Sequence, residues 1–193
     1  MEINTTINTP YHLNPSETKH FTSDNTDTIN TIYVEVIDTT ILLVKVNNLH
    51  IHIFHSDNDS LPNEDVFPKL TGTTQSFISE ISEINKKYTE NNHIECFVIG
   101  KYITKKCIDY CKDQLNNIFQ CETKIIPFEY GDILFPSNDL TMYPTQKTCS
   151  FQTNKIQFRY DINSQLITVE GPSIDKEITR FSYNGIWTES LVS

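Results

Sequence analysis

Between residues 31 and 54 the apolar side chains come in three short runs, 31–38, 40–46 and 49–54, broken by Asp38-Thr39 and Asn47-Asn48. Runs of this length, rich in β-branched residues and bounded by turn formers, predict strands. A polar loop with Pro62 and Pro68 follows over 56–72, and the period of the pattern then changes. Phe77, Ile81, Ile84 and Tyr88 recur at helical spacing, while Glu80, Glu83, Lys86 and Lys87 take the other side. This predicts a helix over 74–88, ended by Asn91-Asn92. Residues 94–100 form a short apolar run of the buried-strand type. Thr104 is placed to cap a second helix running to 119, with Ile108, Cys111, Leu115 and Ile118 as its apolar face. A further strand is predicted over 124–128, and 131–135 continues it after a turn.

Beyond the loop 136–144 the elements are short and β-like. The runs 155–160 and 165–170 flank Asp161-Ile162-Asn163-Ser164, which predicts a hairpin. The runs 178–183 and 186–189 flank Asn184-Gly185, the strongest short hairpin signal in the chain. These elements predict an α/β fold: a mixed β-sheet with two helices over 31–137, then a C-terminal antiparallel β-meander over 150–193. The meander either packs on the main domain or forms a small subdomain. Residues 1–30 are rich in Thr, Asn and Ser and nearly devoid of apolar periodicity, so they read as a disordered polar leader. In composition alone, such a leader resembles the uncleaved export signals of effectors secreted by type III systems. No internal repeat is visible.

The length of 193 residues suits one domain with a real core plus an extension. The formal net charge of -10 argues against nucleic-acid or anionic-membrane binding, which needs clustered Lys and Arg. It suits a basic partner. No window approaches the roughly 20 apolar residues of a membrane span, and the N-terminus has no apolar signal-peptide core. The five cysteines are odd in number and contain no Cys-x-x-Cys pair, so reduced thiols are the expectation. Alanine is absent and arginine occurs only at 159 and 180. That bias points to an AT-rich coding sequence rather than to a mechanism.

Candidate chemistry concentrates in Leu49-His50-Ile51-His52-Ile53-Phe54-His55-Ser56-Asp57, which holds three of six histidines. His50 and His52 share a strand face, with His55, Asp57 and Asp59 just beyond. The run resembles the His-x-His-x-Asp-His motif of metallo-β-lactamase-like hydrolases, with Phe54 in the aspartate position and no histidine after His93. A metal-binding protein using His50, His52 and His55 is therefore one reading. Cys107 and Cys111 on the second helix, and Cys96 in its strand, read as small core residues. Cys121 and Cys149 lie near loop ends and are the candidate reactive thiols. Glu129, Asp132 and Asp139 surround Gly131 and read as a solvated acidic loop. No P-loop, dinucleotide fingerprint or Gly-x-Ser-x-Gly elbow occurs. Trp187, beside the Asn-Gly turn, reads as a residue that packs the meander, and Tyr143 as a candidate exposed aromatic.

The order of elements resembles that of the CheD-like family of chemoreceptor glutamine deamidases, over roughly 32–137. The related cytotoxic-necrotizing-factor-type toxin deamidases share its chemistry and layered architecture. In that family a cysteine in a Gly-Ser-Cys turn is activated by a histidine in the next strand. His52 falls where that histidine would be, and Thr40 stands in place of the cysteine. Ile103-Thr104-Lys105-Lys106-Cys107 occupies the place of the family's Ile-Gly-x-x-Asn segment, and Phe128-Glu129-Tyr130-Gly131-Asp132 that of its glycine turn. The resemblance implies a deamidase-like fold lacking the usual nucleophile. Catalysis, if present, would use His52 as general base with Thr40 or a cysteine brought near in space.

With no complete catalytic set, the expectation is a soluble acidic protein that binds a partner protein rather than an enzyme, with no cofactor. Its setting would be the cytoplasm, or a host cytoplasm reached by export without a cleaved signal, as for a virulence effector or a viral protein.

Overall fold

The computed structural model describes residues 10–15, 17–22, 31–36, 41–48, 50–55, 77, 79–83, 92–100, 105–131, 147–151, 156–173 and 177–192. The described chain is a mixed α/β fold of two six-stranded sheets and helices. One sheet holds β2 (Thr18–Thr22), β5 (His50–His55), β4 (Ile41–Val46), β6 (Ile94–Gly100), β7 (Thr123–Gly131) and β8 (Lys147–Ser150), in that order. The other holds β1 (Tyr11–His12), β3 (Thr31–Val36), β9 (Ile156–Asp161), β10 (Ile167–Pro172), β11 (Ile178–Tyr183) and β12 (Trp187–Leu191). The helices are α1, helical at 77 and 79–83, and α2, Lys105–Phe119.

Layering explains the two kinds of apolar pattern. The centre of the β2–β8 sheet is covered on both faces, so β4 is buried at every position and its sequence is a nearly unbroken apolar run. One face packs on the second sheet: Ile41, Leu43, Ile51, Ile53, Phe97, Ile126 and Phe128 share a core with Ile32, Val34, Phe158, Tyr160, Val169 and Phe181. The other face packs on the helices, where Leu42, Val44, Phe54, Val98 and Ile125 meet Phe77, Ile81, Ile108, Cys111, Leu115 and Phe119. The second sheet turns its outer face to solvent, so β9 alternates Ile156, Phe158 and Tyr160 inward with exposed Gln157 and Arg159. On that outer face Arg180 donates to Glu170 across β10 and β11.

Local signals set the connections. Asn47 and Asn48 take φ of 55° and 57°, a region Asn tolerates, and turn β4 back onto β5. Asn47 also ties the turn to the start of β6: its Oδ1 accepts from the His93 backbone N–H at 2.6 Å. β6, α2 and β7 make a crossover unit, since β6 and β7 run parallel. α2 ends at Gln120, left-handed at φ 53°, and Asn116 Oδ1 accepts from the Thr123 N–H at 2.7 Å as β7 begins. β9 to β12 form the expected meander, with Gly185 at φ +82° in the last hairpin.

Several elements differ from the sequence expectation. Within the segment 1–30, read as disordered, residues 11–12 and 18–22 form strands. β2 gains its place by backbone pairing along the edge of β5, which needs no apolar composition, and the Tyr11 and Phe21 rings meet at 5.6 Å against the inter-sheet core. β3 does not join β4 and β5 in one sheet. It pairs antiparallel with β9, so a strand of the 31–137 segment lies in the same sheet as the strands of 150–193. β7 runs unbroken over Thr123–Gly131. It tolerates Pro127 because pairing with β8 starts only at Phe128. The loop 56–72, the ends of the helix over 74–88, and residues 132–146 lie outside the described residues.

Candidate functional site

Strand alternation in β5 divides the histidine run. Ile51 and Ile53 enter the inter-sheet core and Phe54 enters the helix-side core, so His50, His52 and Phe54 share the helix-side face. His55 lies on the opposite face, buried, with its Nδ1 3.2 Å from the Leu13 carbonyl. His50, His52 and His55 therefore do not converge, because an odd spacing in a strand separates side chains across the sheet.

A different histidine completes the cluster. His20 on β2 pairs directly with His52, and its ring stacks on that ring at 4.3 Å between centroids with 7° between planes. Its Nε2 lies 3.0 Å from His50 Nδ1, close enough for one ring to donate to the other. His20 and His50 reach solvent, whereas His52 is 2% exposed. Burial, with His20 and His50 nearby, lowers the His52 pKa to about 3. His52 is thus a neutral and weakly basic ring, a poor proton acceptor for general-base work near neutrality. His20 escaped the sequence reading because it sits in a polar stretch. The one signal was the alternation of Thr18, His20 and Thr22 with Lys19 and Phe21.

Thr40 lies outside the described residues. Its neighbour Ile41 pairs with His55, while His52 pairs with Val44. Cys96 stands across Val44 on β6, two strands from His52, which is roughly 10 Å at the usual strand spacing. Cys96 and Cys111 are buried in the helix-side core, as expected. Cys121 is partly buried just after α2, and burial pushes its thiol up, away from reactivity. The side chains of Cys107 and Cys149 lie outside the described residues, as do Asp57, Asp59, Asp132, Asp139 and Tyr143.

Glu129 is not part of a solvated loop. It lies in β7, 6% exposed, and among the described residues its Oε2 has no hydrogen-bond partner. Burial pushes its carboxyl up to about 7. It is remote from the histidines, three strands across and four positions along from the His52 register. Trp187 packs the meander: its ring lies 4.8 Å from Phe128 and 5.1 Å from Tyr183.

Among the described residues, no group of three or more His, Cys, Asp or Glu side chains is disposed to hold a metal ion. None of the described helices is long and apolar enough to cross a membrane. In comparison with known proteins, no family model and no curated sequence matches this chain.

The remaining candidate surface is the β12 edge. β12 pairs with β11 on one side and, among the described residues, with nothing on the other. Val192 N–H donates to the Ile178 carbonyl and Asn184 N–H to the Ile186 carbonyl. With the register Thr179↔Leu191 to Tyr183↔Trp187, these bonds fix the alternation of the ladder. Thr188 and Ser190 spend their backbone groups on β11, and Trp187, Glu189 and Leu191 point theirs to the open side. Among the described residues, the exposed large apolar side chains, Ile178, Ile186 and Leu191, all belong to this hairpin.

Proposed function

We propose that this protein acts by binding another protein, and that it takes an extended segment of that partner as an added strand on β12. The observation that carries this reading is the open edge itself: outward backbone groups at Trp187, Glu189 and Leu191, beside exposed Ile178, Ile186 and Leu191. Edge strands that must stay unpaired are usually very short or carry Lys, Pro or a bulge. β1 at the opposite edge is two residues long, and β2 at an edge of the other sheet carries Lys19. β12 is five residues long and carries no Lys or Pro; its one guard is the charge of Glu189, opposite Phe181. Backbone pairing would supply affinity, and the apolar side chains would select the segment. The net charge of -10 and Glu189 favour a segment with basic residues between its apolar ones.

Glu189→Pro tests this. Proline there removes an outward N–H without removing a bond to β11, so the hairpin persists while strand addition is blocked. Affinity capture from a host lysate should recover a partner with wild type and with Glu189→Ala, and lose it with Glu189→Pro at an unchanged thermal midpoint. Capture that survives Glu189→Pro would remove the edge from the mechanism.

A further inference from the structure

The contact between His20 and His50 has a use that neither strand suggests alone. We propose that these two histidines form a two-nitrogen site for a divalent transition metal of the copper, nickel and zinc class. The ion would be held between β2 and β5.

Three observations carry it. First, the two nitrogens already stand at a ligand spacing. His20 Nε2 and His50 Nδ1 are 3.0 Å apart, and two bonds of about 2.0–2.1 Å to one ion span that gap at roughly 90–95°. This is the angle between neighbouring ligands in the tetragonal geometry of copper(II) and nickel(II), so the fit favours copper most, in line with its general affinity order. Second, His52 fixes the site without joining it. Its ring lies nearly parallel to that of His20, at 7° and 4.3 Å. Imidazole lone pairs lie in the ring plane, so two rings face to face at 4.3 Å cannot address the same ion, whereas His20 and His50, 24° apart in plane and 5.2 Å between centroids, bring the edges Nε2 and Nδ1 together. His52 is a positioning residue that holds the His20 ring flat against the sheet. Third, the site is open to water on one side, since His20 and His50 are not buried, so solvent completes the coordination.

Binding needs a change of tautomer rather than a loss of charge. Between neutral rings, one nitrogen donates its hydrogen to the other. On binding, that hydrogen moves by exchange with solvent to the other nitrogen of the same ring, both rings turn their lone pairs toward an ion lying off the line between them, and two neutral imidazoles ligate with no net proton released.

The test is calorimetric titration of copper(II), nickel(II) and zinc(II) chlorides into the metal-free full chain near neutral pH. One ion per chain is expected, tightest for copper. His20→Gln and His50→Gln should each weaken binding at least about tenfold, a loss of about 1.4 kcal/mol. His52→Phe keeps the stack without a nitrogen and should retain binding. His93→Gln tests the other exposed pair, His93 and Glu95 at 3.2 Å, and should leave binding unchanged. The proposal fails if no ion binds, if both His20→Gln and His50→Gln still bind normally, or if His93→Gln abolishes binding. Electron paramagnetic resonance of the copper-loaded wild type guards against misfolded variants. Two nitrogen couplings support the site, and fewer than two overturn it.

Discussion

His52 and Glu129 are buried with opposite electrical preferences, and the pH dependence of stability should expose them. The His52 pKa falls from 6.5 to about 3 on folding, so its contribution is fully present above pH 6.5 and is lost as pH falls toward 3. Glu129 rises from 4.5 to about 7, so its contribution is fully present below pH 4.5 and is lost as pH rises through 7. Between 4.5 and 6.5 each group tilts the stability by about 1.4 kcal/mol per pH unit, in opposing directions. Denaturant midpoints across this range should therefore tilt in each single variant. Glu129→Gln should lose stability as the solution is acidified, and His52→Phe should lose less on acidification than wild type. Parallel pH profiles for the two variants would contradict the assignment. Burial of His55, which is lowered for the same reason, adds to the acid side.

At the scale of elements, Gly171 couples the two sheets. A Cβ at Gly171 would stand 2.6 Å from the Phe151 ring, which follows β8 and packs edge-on to Phe181. The missing side chain lets the end of one sheet lie over β10 of the other. Gly171→Ala should cost about 1–3 kcal/mol by overpacking, read as a lower thermal midpoint, and Phe151→Leu should recover part of it. Elements with local signals are legible in the sequence. α2 shows in the spacing of Ile108, Cys111 and Leu115, and the last two hairpins show in their turn residues. β1 and β2 are not legible, because their stability comes from neighbours far along the chain rather than from their own apolar content. The partner of β3 is illegible for a related reason. Alternation of Ile32 and Val34 tells which face is buried, but not which strand lies alongside. The candidate site shares this limit: His50 and His52 stand out in the sequence, whereas His20 enters through the β2–β5 pairing.

For the whole molecule, β3 makes the two sheets interdependent. It pairs with β9 and contributes Ile32 and Val34 to the core between the sheets. A fragment covering 31–137 keeps β3 without its antiparallel partner, and a fragment covering 150–193 keeps a meander with its inner face bare. Neither should fold alone, by circular dichroism and by amide dispersion in NMR spectra. The full chain should unfold in one cooperative transition. Two separate transitions, or a folded 31–137 fragment, would argue against this interdependence.

The same pairing sets a timetable during synthesis. β3 leaves the ribosome early, yet its partner is complete only when Asp161 has been made. At about 5–20 residues per second, that delay is on the order of ten seconds. Throughout it, a β-branched strand with a free hydrogen-bonding edge is open to other nascent chains. The protein should therefore depend on chaperone holding in inverse proportion to translation speed. Slower ribosomes lengthen the wait for β9, and so should lower the soluble yield rather than raise it.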